Sequence, residues 1–165
     1  DVSTSLLYQM ATDASYLRPL ARFHRRRIYA NADRDFMVPL GTAAFLSTSN
    51  ENSLMQLVDT KTSGVVKVLN SEECASENGP GARTTAGKDS SQGDALDIMI
   101  RHLDSLGWEK VIVSFPGWLP FSHNKICALQ KNVWPSSLFA ELLDFNEGAW
   151  LMDQAAEWLA STTPS

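Results

Sequence analysis

Short apolar runs alternate with polar turns along the first part of the chain. Apolar residues near the start are spaced for helical or extended packing: Leu6, Leu7, Met10, Tyr16, Leu17 and Leu20. The run 26–30 predicts a short strand that ends in the polar turn 31–35. Farther on, 54–58 and 65–69 predict two more strands, which we expect to form a hairpin around the turn 60–64.

A polar zone interrupts this pattern at about 70–93. It is rich in Ser, Glu, Gly, Thr and Asn, and it contains almost no large apolar residue. Such a segment cannot bury enough apolar surface to offset the entropy lost on ordering. We therefore predict a flexible, low-complexity insertion within one domain that spans 1–165.

Regular patterning returns after the insertion. Asp94 is placed to cap a helix through Leu106, and Gly107 is placed to end it. The apolar face of this helix contains Ala95, Ile98, Met99, His102, Leu103 and Leu106, which makes His102 a core or boundary histidine. The β-branched run 110–115 predicts a buried parallel strand.

A closing helix is predicted from a cap at Asn146 through Leu159, with one face made of Leu151, Gln154, Ala155, Trp158 and Leu159. Helix, strand, loop and helix in this order are typical of a right-handed αβα unit. The predicted fold class is therefore α/β, with a doubly wound and mostly parallel sheet.

Composition narrows the classes of function. The chain has 165 residues, of which 44% are hydrophobic and 20% charged, as in an ordinary globular domain. A net charge of -5 argues against nucleic-acid binding. Two cysteines favour a reducing compartment over a disulfide framework, so we expect an intracellular, cytoplasmic or lipid-surface location. No metal site and no cofactor are predicted, because the three histidines are scattered and no CxxC pair is present.

Candidate catalytic residues follow two of the predicted strands. Asp33 and Asp35 come after the first strand, and His123 comes after the strand 110–115. In doubly wound sheets, functional residues lie just beyond the carboxyl ends of the strands. An acid followed by a histidine matches the chain order Ser, Asp, His of an α/β-hydrolase triad. The register of the turn leaves Asp33 as an alternative acid to Asp35.

Three segments carry a resemblance to a known family. The first is Leu17-Arg18-Pro19-Leu20-Ala21-Arg22-Phe23 followed by Arg25-Arg26-Arg27-Ile28-Tyr29-Ala30-Asn31, with Asp35, Val38 and Thr42 after it. The second is Trp108-Glu109-Lys110-Val111-Ile112-Val113-Ser114-Phe115, then Ser122-His123-Asn124-Lys125-Ile126. The third is Asn146-Glu147-Gly148-Ala149. In this order they resemble the lipase-like serine esterases of plants and fungi.

The resemblance implies the C-terminal part of an α/β-hydrolase, incomplete without its N-terminal half. It implies that Asp35 is the acid and His123 the general base in the hydrolysis of a lipid or other carboxylic ester. The sequence contains no Gly-x-Ser-x-Gly, so the nucleophile is expected upstream of this chain, which alone would be inactive. The sequence departs from the family at Pro39-Leu40, where a Gly-Trp-like pair is usual, and in the long insertion.

A second reading of the same residues is a non-catalytic, hydrolase-like scaffold that binds lipid or protein partners. This interpretation depends on a basic cluster in an otherwise acidic chain, which consists of Arg18, Arg22, Arg25, Arg26 and Arg27. These side chains suit contact with anionic headgroups at a membrane or lipid surface. A solvated entrance to the first strand is the more ordinary explanation of the cluster.

Overall fold

A computed structural model describes residues 4–33, 35–58, 63–70, 90–115, 122–127 and 148–161. Its helices are α1 (Leu6–Thr12), α2 (Ala14–Ala21), α3 (Leu40–Ala43), α4 (Thr48–Met55), α5 (Ser90–Asp104), α6 (Ser122–Ile126) and α7 (Ala149–Ala160). Its strands are β1 (Arg27–Asn31), β2 (Gly64–Leu69) and β3 (Glu109–Ser114). Within these described ranges, no helix is long and apolar enough to cross a membrane.

The sheet is small and mixed, with the strand order β1-β3-β2. β3 pairs with β1 in parallel, from Arg27 opposite Glu109 to Asn31 opposite Val113. Its other edge pairs with β2 in antiparallel fashion, with a register irregularity between Val65 and Lys67. The α/β class is thus correct, whereas one of the two strand pairs described is antiparallel.

The predicted hairpin is wrong. Leu54 lies in α4, whose first turn is capped by the side chain of Ser47, and the partner of β2 is β3. The apolar spacing of 54–58 suits a helix end as well as a strand, and Leu54 is buried in the core from α4. The turn at 60–64 lies mostly outside the described residues.

Two apolar clusters pack on opposite faces of the sheet. The first contains Ala30, Ala32, Leu40, Ala44, Leu46, Leu54, Leu69 and Ile112, with Ile28 packed against it. The second contains Val111, Val113, Phe115 and Leu151, with Tyr29, Ile126 and Trp150 packed against it. β3 supplies both clusters because its side chains alternate between faces, and the prediction of a buried strand at 110–115 is confirmed.

The long helices differ from prediction at their ends. α5 begins at Ser90, one turn before the predicted cap at Asp94. Apolar spacing could not indicate this first turn, because residues 90–93 include no large apolar side chain. Gly107 follows it in the left-handed conformation, with φ 75°, as its role in ending the helix requires. His102 is exposed, so its core placement is wrong. The rest of the predicted insertion, 71–89, lies outside the described residues.

The closing helix is confirmed as α7, with Leu151 buried and Trp158 half-buried on its inner face. Leu159 is 61% exposed, which corrects its predicted place on that face. Gly148 precedes the helix, while the predicted cap at Asn146 lies outside the described residues.

Lys110 is a buried cation inside β3. It is 1% exposed, and its ammonium lies 2.6 Å from Asp104 Oδ1 at the end of α5, in an ion pair without hydrogen-bond geometry. It also donates to the carbonyl oxygen of Phe45 at 3.2 Å. Phe45 has φ 52°, a left-handed conformation that is unusual for an aromatic residue. Through these two interactions, Lys110 connects the sheet to the end of α5 and to the turn between α3 and α4.

Glu109 and Trp158 join α7 to the first residues of β1 and β3. Arg27 forms two hydrogen bonds to Glu109, of 2.9 and 2.7 Å, and Trp158 Nε1 donates to the same carboxylate at 3.0 Å. The guanidinium groups of Arg25 and Arg27 each lie 4.7 Å from the centre of the Trp158 ring. The hydrogen bonds from Arg27 hold the pKa of Glu109 below its ordinary value of 4.5, despite partial burial.

We predict that Lys110→Met lowers the free energy of unfolding by about 2–3 kcal/mol, because Asp104 is left partly buried without its cation. Urea denaturation monitored by tryptophan fluorescence measures the change. Lys67→Met on the neighbouring strand is the matched control, with an expected effect below about 0.5 kcal/mol. Equal effects of the two substitutions would contradict the role given to Lys110.

We predict that Glu109→Gln destabilises the fold by about 1–2 kcal/mol at pH 7, where the carboxylate is fully charged. A lowered folded-state pKa means that this stabilisation is complete above 4.5 and is lost as the pH falls through the folded value. The stabilities of the two proteins should therefore converge below pH 4.5. Thermal unfolding across pH measures this, with Glu157→Gln on the exposed side of α7 as the control.

Candidate active site

Asp35 lies in a loop that follows the carboxyl end of β1. Its Oδ1 accepts hydrogen bonds from the backbone N–H groups of Met37 and Val38, at 3.0 and 2.9 Å. Its side chain is only 6% exposed. Because these two local bonds fix one oxygen, the other oxygen, Oδ2, is held in a defined direction.

His123 lies in the short helix α6, beyond the carboxyl end of β3. Ile126, one turn later, packs against the cluster of Val111, Val113, Phe115 and Leu151 and anchors α6 beside the sheet. The helix also contacts β1, the strand that leads to Asp35. The imidazole side chain is 31% exposed, so part of its ring is accessible from outside.

The two side chains meet through Asp35 Oδ2 and His123 Nδ1, which are 3.0 Å apart. The two candidate residues that follow β1 and β3 are therefore within hydrogen-bonding distance of each other. A carboxylate can only accept, so Nδ1 is the donor in this contact, and in the neutral imidazole Nε2 is then the nitrogen that carries the lone pair. The imidazole is thereby oriented and given the tautomer that a general base needs at Nε2.

A small cleft adjoins the acid. Its volume is about 170 Å³, and it is lined by Asn31, Ala32, Asp33, Asp35, Pro39, Leu40, Glu51 and Met55. Asp33 therefore lies on the cleft wall, while the described carboxylate contact of His123 is with Asp35. Glu51 accepts a hydrogen bond from the N–H of Gly41 at 3.1 Å, which joins α4 to α3 beside the cleft.

The arginine cluster lies at the other end of the sheet. Arg27 starts β1 and Asp35 follows its end, so the five residues of the strand separate them by roughly 15 Å. Arg26 donates to the carbonyl oxygens of Leu20 and Phe23, and Arg27 is bound to Glu109. Exposed arginines of the cluster are thus Arg18, Arg22 and Arg25.

The sequence analysis missed three residues around the site. Asn31 is buried at the end of β1, and among the residues that the structure describes neither polar atom of its side chain has a hydrogen-bond partner. Phe36 and Met37, beside the acid, are 68% and 60% exposed. The available signal for Asn31 was a polar residue directly ending the apolar run Ile28-Tyr29-Ala30.

Over the described ranges, no group of three or more His, Cys, Asp or Glu side chains could hold a metal ion.

Comparisons of the chain with protein-family models, curated proteins and solved structures found no match. The site therefore rests on its own geometry, and the resemblance to serine esterases stays a hypothesis.

We predict that Asp35→Asn moves the neutral-state proton of His123 from Nδ1 to Nε2. The new amide oxygen keeps the bonds from Met37 and Val38, which turns the amide NH₂ towards Nδ1 and makes Nδ1 an acceptor. Long-range ¹H–¹⁵N NMR spectra, recorded at a pH where the ring is neutral, distinguish the two tautomers.

Asp33→Asn is the matched control for this substitution, and it should leave the proton on Nδ1. A tautomer change caused by Asp33→Asn instead would make Asp33 the acid partner.

Proposed function

We propose that this chain supplies the acid and the histidine of a serine ester hydrolase. The observation that carries the proposal is the 3.0 Å contact between His123 Nδ1 and a buried carboxylate oxygen of Asp35. Both residues follow the carboxyl ends of adjacent parallel strands, which is where open α/β sheets place their sites. In this proposal, the described sheet is part of the larger, doubly wound sheet of an α/β-hydrolase.

The chemistry of the pair follows from its orientation. His123 Nε2 takes the proton of a serine hydroxyl as the oxygen attacks the ester carbonyl, and the imidazolium returns that proton to the departing alkoxide. Asp35 stabilises the imidazolium and keeps the ring in place. In the second half of the reaction, Nε2 takes a proton from the water that hydrolyses the acyl-enzyme.

The nucleophile is proposed to come from an upstream segment of the same polypeptide. In α/β-hydrolases the serine precedes the acid and the histidine along the chain, on a turn between a strand and a helix. Backbone N–H groups beside that turn would stabilise the oxyanion. By this proposal, 1–165 alone does not hydrolyse esters.

Substrates are proposed to be lipid or other carboxylic esters, in an intracellular or lipid-surface location. The exposed apolar residues Phe36 and Met37 beside the acid support a substrate with an apolar part. Contact of Arg18, Arg22 and Arg25 with anionic lipid would bind the molecule by the end of the sheet opposite the site. A non-catalytic scaffold is the second candidate, favoured by the absence of Gly-x-Ser-x-Gly from the sequence.

We predict that His123→Ala reduces ester hydrolysis about 10⁴-fold or more, and Asp35→Asn about 10²- to 10⁴-fold, with little change in KM. The protein is expressed from its complete reading frame and assayed on p-nitrophenyl esters of short and long acyl chains. Each substitution removes a group that acts mainly in the transition state, so we expect the loss of activity to appear as a lower kcat.

Matched controls are His102→Ala and Asp97→Asn, two exposed positions on α5 that should change kcat less than about twofold. Wild-type levels of hydrolysis in both site variants would remove the catalytic assignments. A wild-type protein that shows no hydrolysis and no labelling of a serine by a fluorophosphonate would favour the scaffold.

A further inference from the structure

The outer face of α2 combines aromatic and basic side chains. Tyr16 and Phe23 are exposed and lie two turns apart on one side of this face. Phe23 continues the last helical turn, because its N–H donates to the carbonyl oxygen of Leu20 at 3.2 Å. Arg18 and Arg22 are exposed on the other side, one turn apart. The face therefore has an aromatic side and a basic side.

The outer face of α7 has a complementary composition. Met152 and Leu159 are exposed and, like the aromatic pair of α2, lie two turns apart. Asp153 and Glu157 are exposed one turn apart, and they are the only charged residues in the sequence of this helix. The small side chain of Ala156 lies between the two pairs. α7 therefore presents an apolar side and an acidic side at the same spacings as α2.

The charged groups of the two faces are little used within the molecule. Arg22, Asp153 and Glu157 form no ion pair and no side-chain hydrogen bond with any residue that the structure describes. The sequence of α2 contains no acidic residue and that of α7 no basic residue, so contact of either helix with its own copy would bring like charges together. Contact of α2 with α7 brings opposite charges together instead.

We infer that these two faces bind each other between two copies of this chain, with α2 of one copy parallel to α7 of the other. Because both helices are right-handed, this orientation places the basic side of α2 against the acidic side of α7, whereas an antiparallel one would place it against the apolar side. Residues at equal heights then meet in four pairs, which are Arg18 with Asp153, Arg22 with Glu157, Tyr16 with Met152 and Phe23 with Leu159.

The positions of the two helices in one molecule suit a closed dimer. The guanidinium of Arg25, three residues after Arg22, lies 4.7 Å from the centre of the Trp158 ring, so α2 and α7 end beside each other. In a two-fold dimer the contact occurs twice, with α2 of either copy on α7 of the other. This dimer goes beyond the proposed function and does not depend on it. It engages Arg18 and Arg22 with protein in place of anionic lipid.

The test measures the dissociation constant of the dimer by analytical ultracentrifugation of the protein expressed from its complete reading frame. Arg22→Glu should raise this constant at least about tenfold, because two acidic side chains then face each other in each contact. Glu157→Arg should raise it to a similar extent, since it opposes two cations. The double variant restores opposite charges and should return the constant to within about threefold of the wild-type value.

Asp97→Arg is the matched control, because it makes the same change of charge at an exposed acid of α5, a helix that belongs to neither face. It should change the dissociation constant less than about twofold. Phe23→Ser removes an apolar contact and leaves every charge in place, and it should raise the constant at least about tenfold. Circular dichroism of each variant checks that the helices are retained.

Three results would overturn the inference. The first is a protein that sediments as a monomer at every concentration, or a dimer that neither charge reversal weakens. The second is a double variant as weak as the single ones, which would show that Arg22 and Glu157 do not meet. The third is binding to phosphatidylserine vesicles that Arg22→Glu abolishes while sedimentation is unchanged, which would assign the arginines to lipid.

Discussion

The parallel pairing of β1 with β3 is the constraint on which the site depends, and an ion pair at its first position helps to fix it. Arg27 and Glu109 are directly opposite each other in the register, and the same two side chains form the bidentate salt bridge. Asp35 and His123 meet beyond the far end of the same two strands. A slip of one residue would send the side chains of one strand to the wrong faces and separate both pairs. One strand pairing therefore fixes the salt bridge at one end and the contact of Asp35 with His123 at the other.

Local sequence was sufficient for the strands at the centre of this arrangement. A β-branched run such as Val111-Ile112-Val113 has few alternatives to a strand that is buried on both faces. Gly107 indicates the turn before this strand, because that turn needs a residue with positive φ. The segment at Leu54 could not be predicted in the same way. Its apolar spacing suits either element, and the choice depends on the Ser47 cap and on the core formed by distant residues.

The candidate site was predictable in part, because strand ends place residues without knowledge of side-chain packing. The position of Asp35 and His123 after two strand ends predicted that they lie close together, but the same argument left Asp33 as an alternative acid. The choice of Asp35 for the described contact follows from a loop conformation in which its Oδ1 accepts two backbone hydrogen bonds. The sequence shows Asn31 as a polar residue at the end of an apolar run, but its burial without a hydrogen-bond partner among the described residues is a property of three-dimensional packing. The chemical role of the pair is still a prediction.

The unequal burial of the two partners is hard to explain as ordinary surface stabilisation. An exposed ion pair contributes little to stability, and a carboxylate loses solvation when it is enclosed, as Asp35 is at 6% exposure. Three hydrogen bonds offset that loss, and together they hold the imidazole in one orientation with Nδ1 towards the carboxylate. An imidazole that is fixed at Nδ1, and whose Nε2 can accept a proton when the ring is neutral, is the arrangement on which the proposed role of His123 as a general base depends.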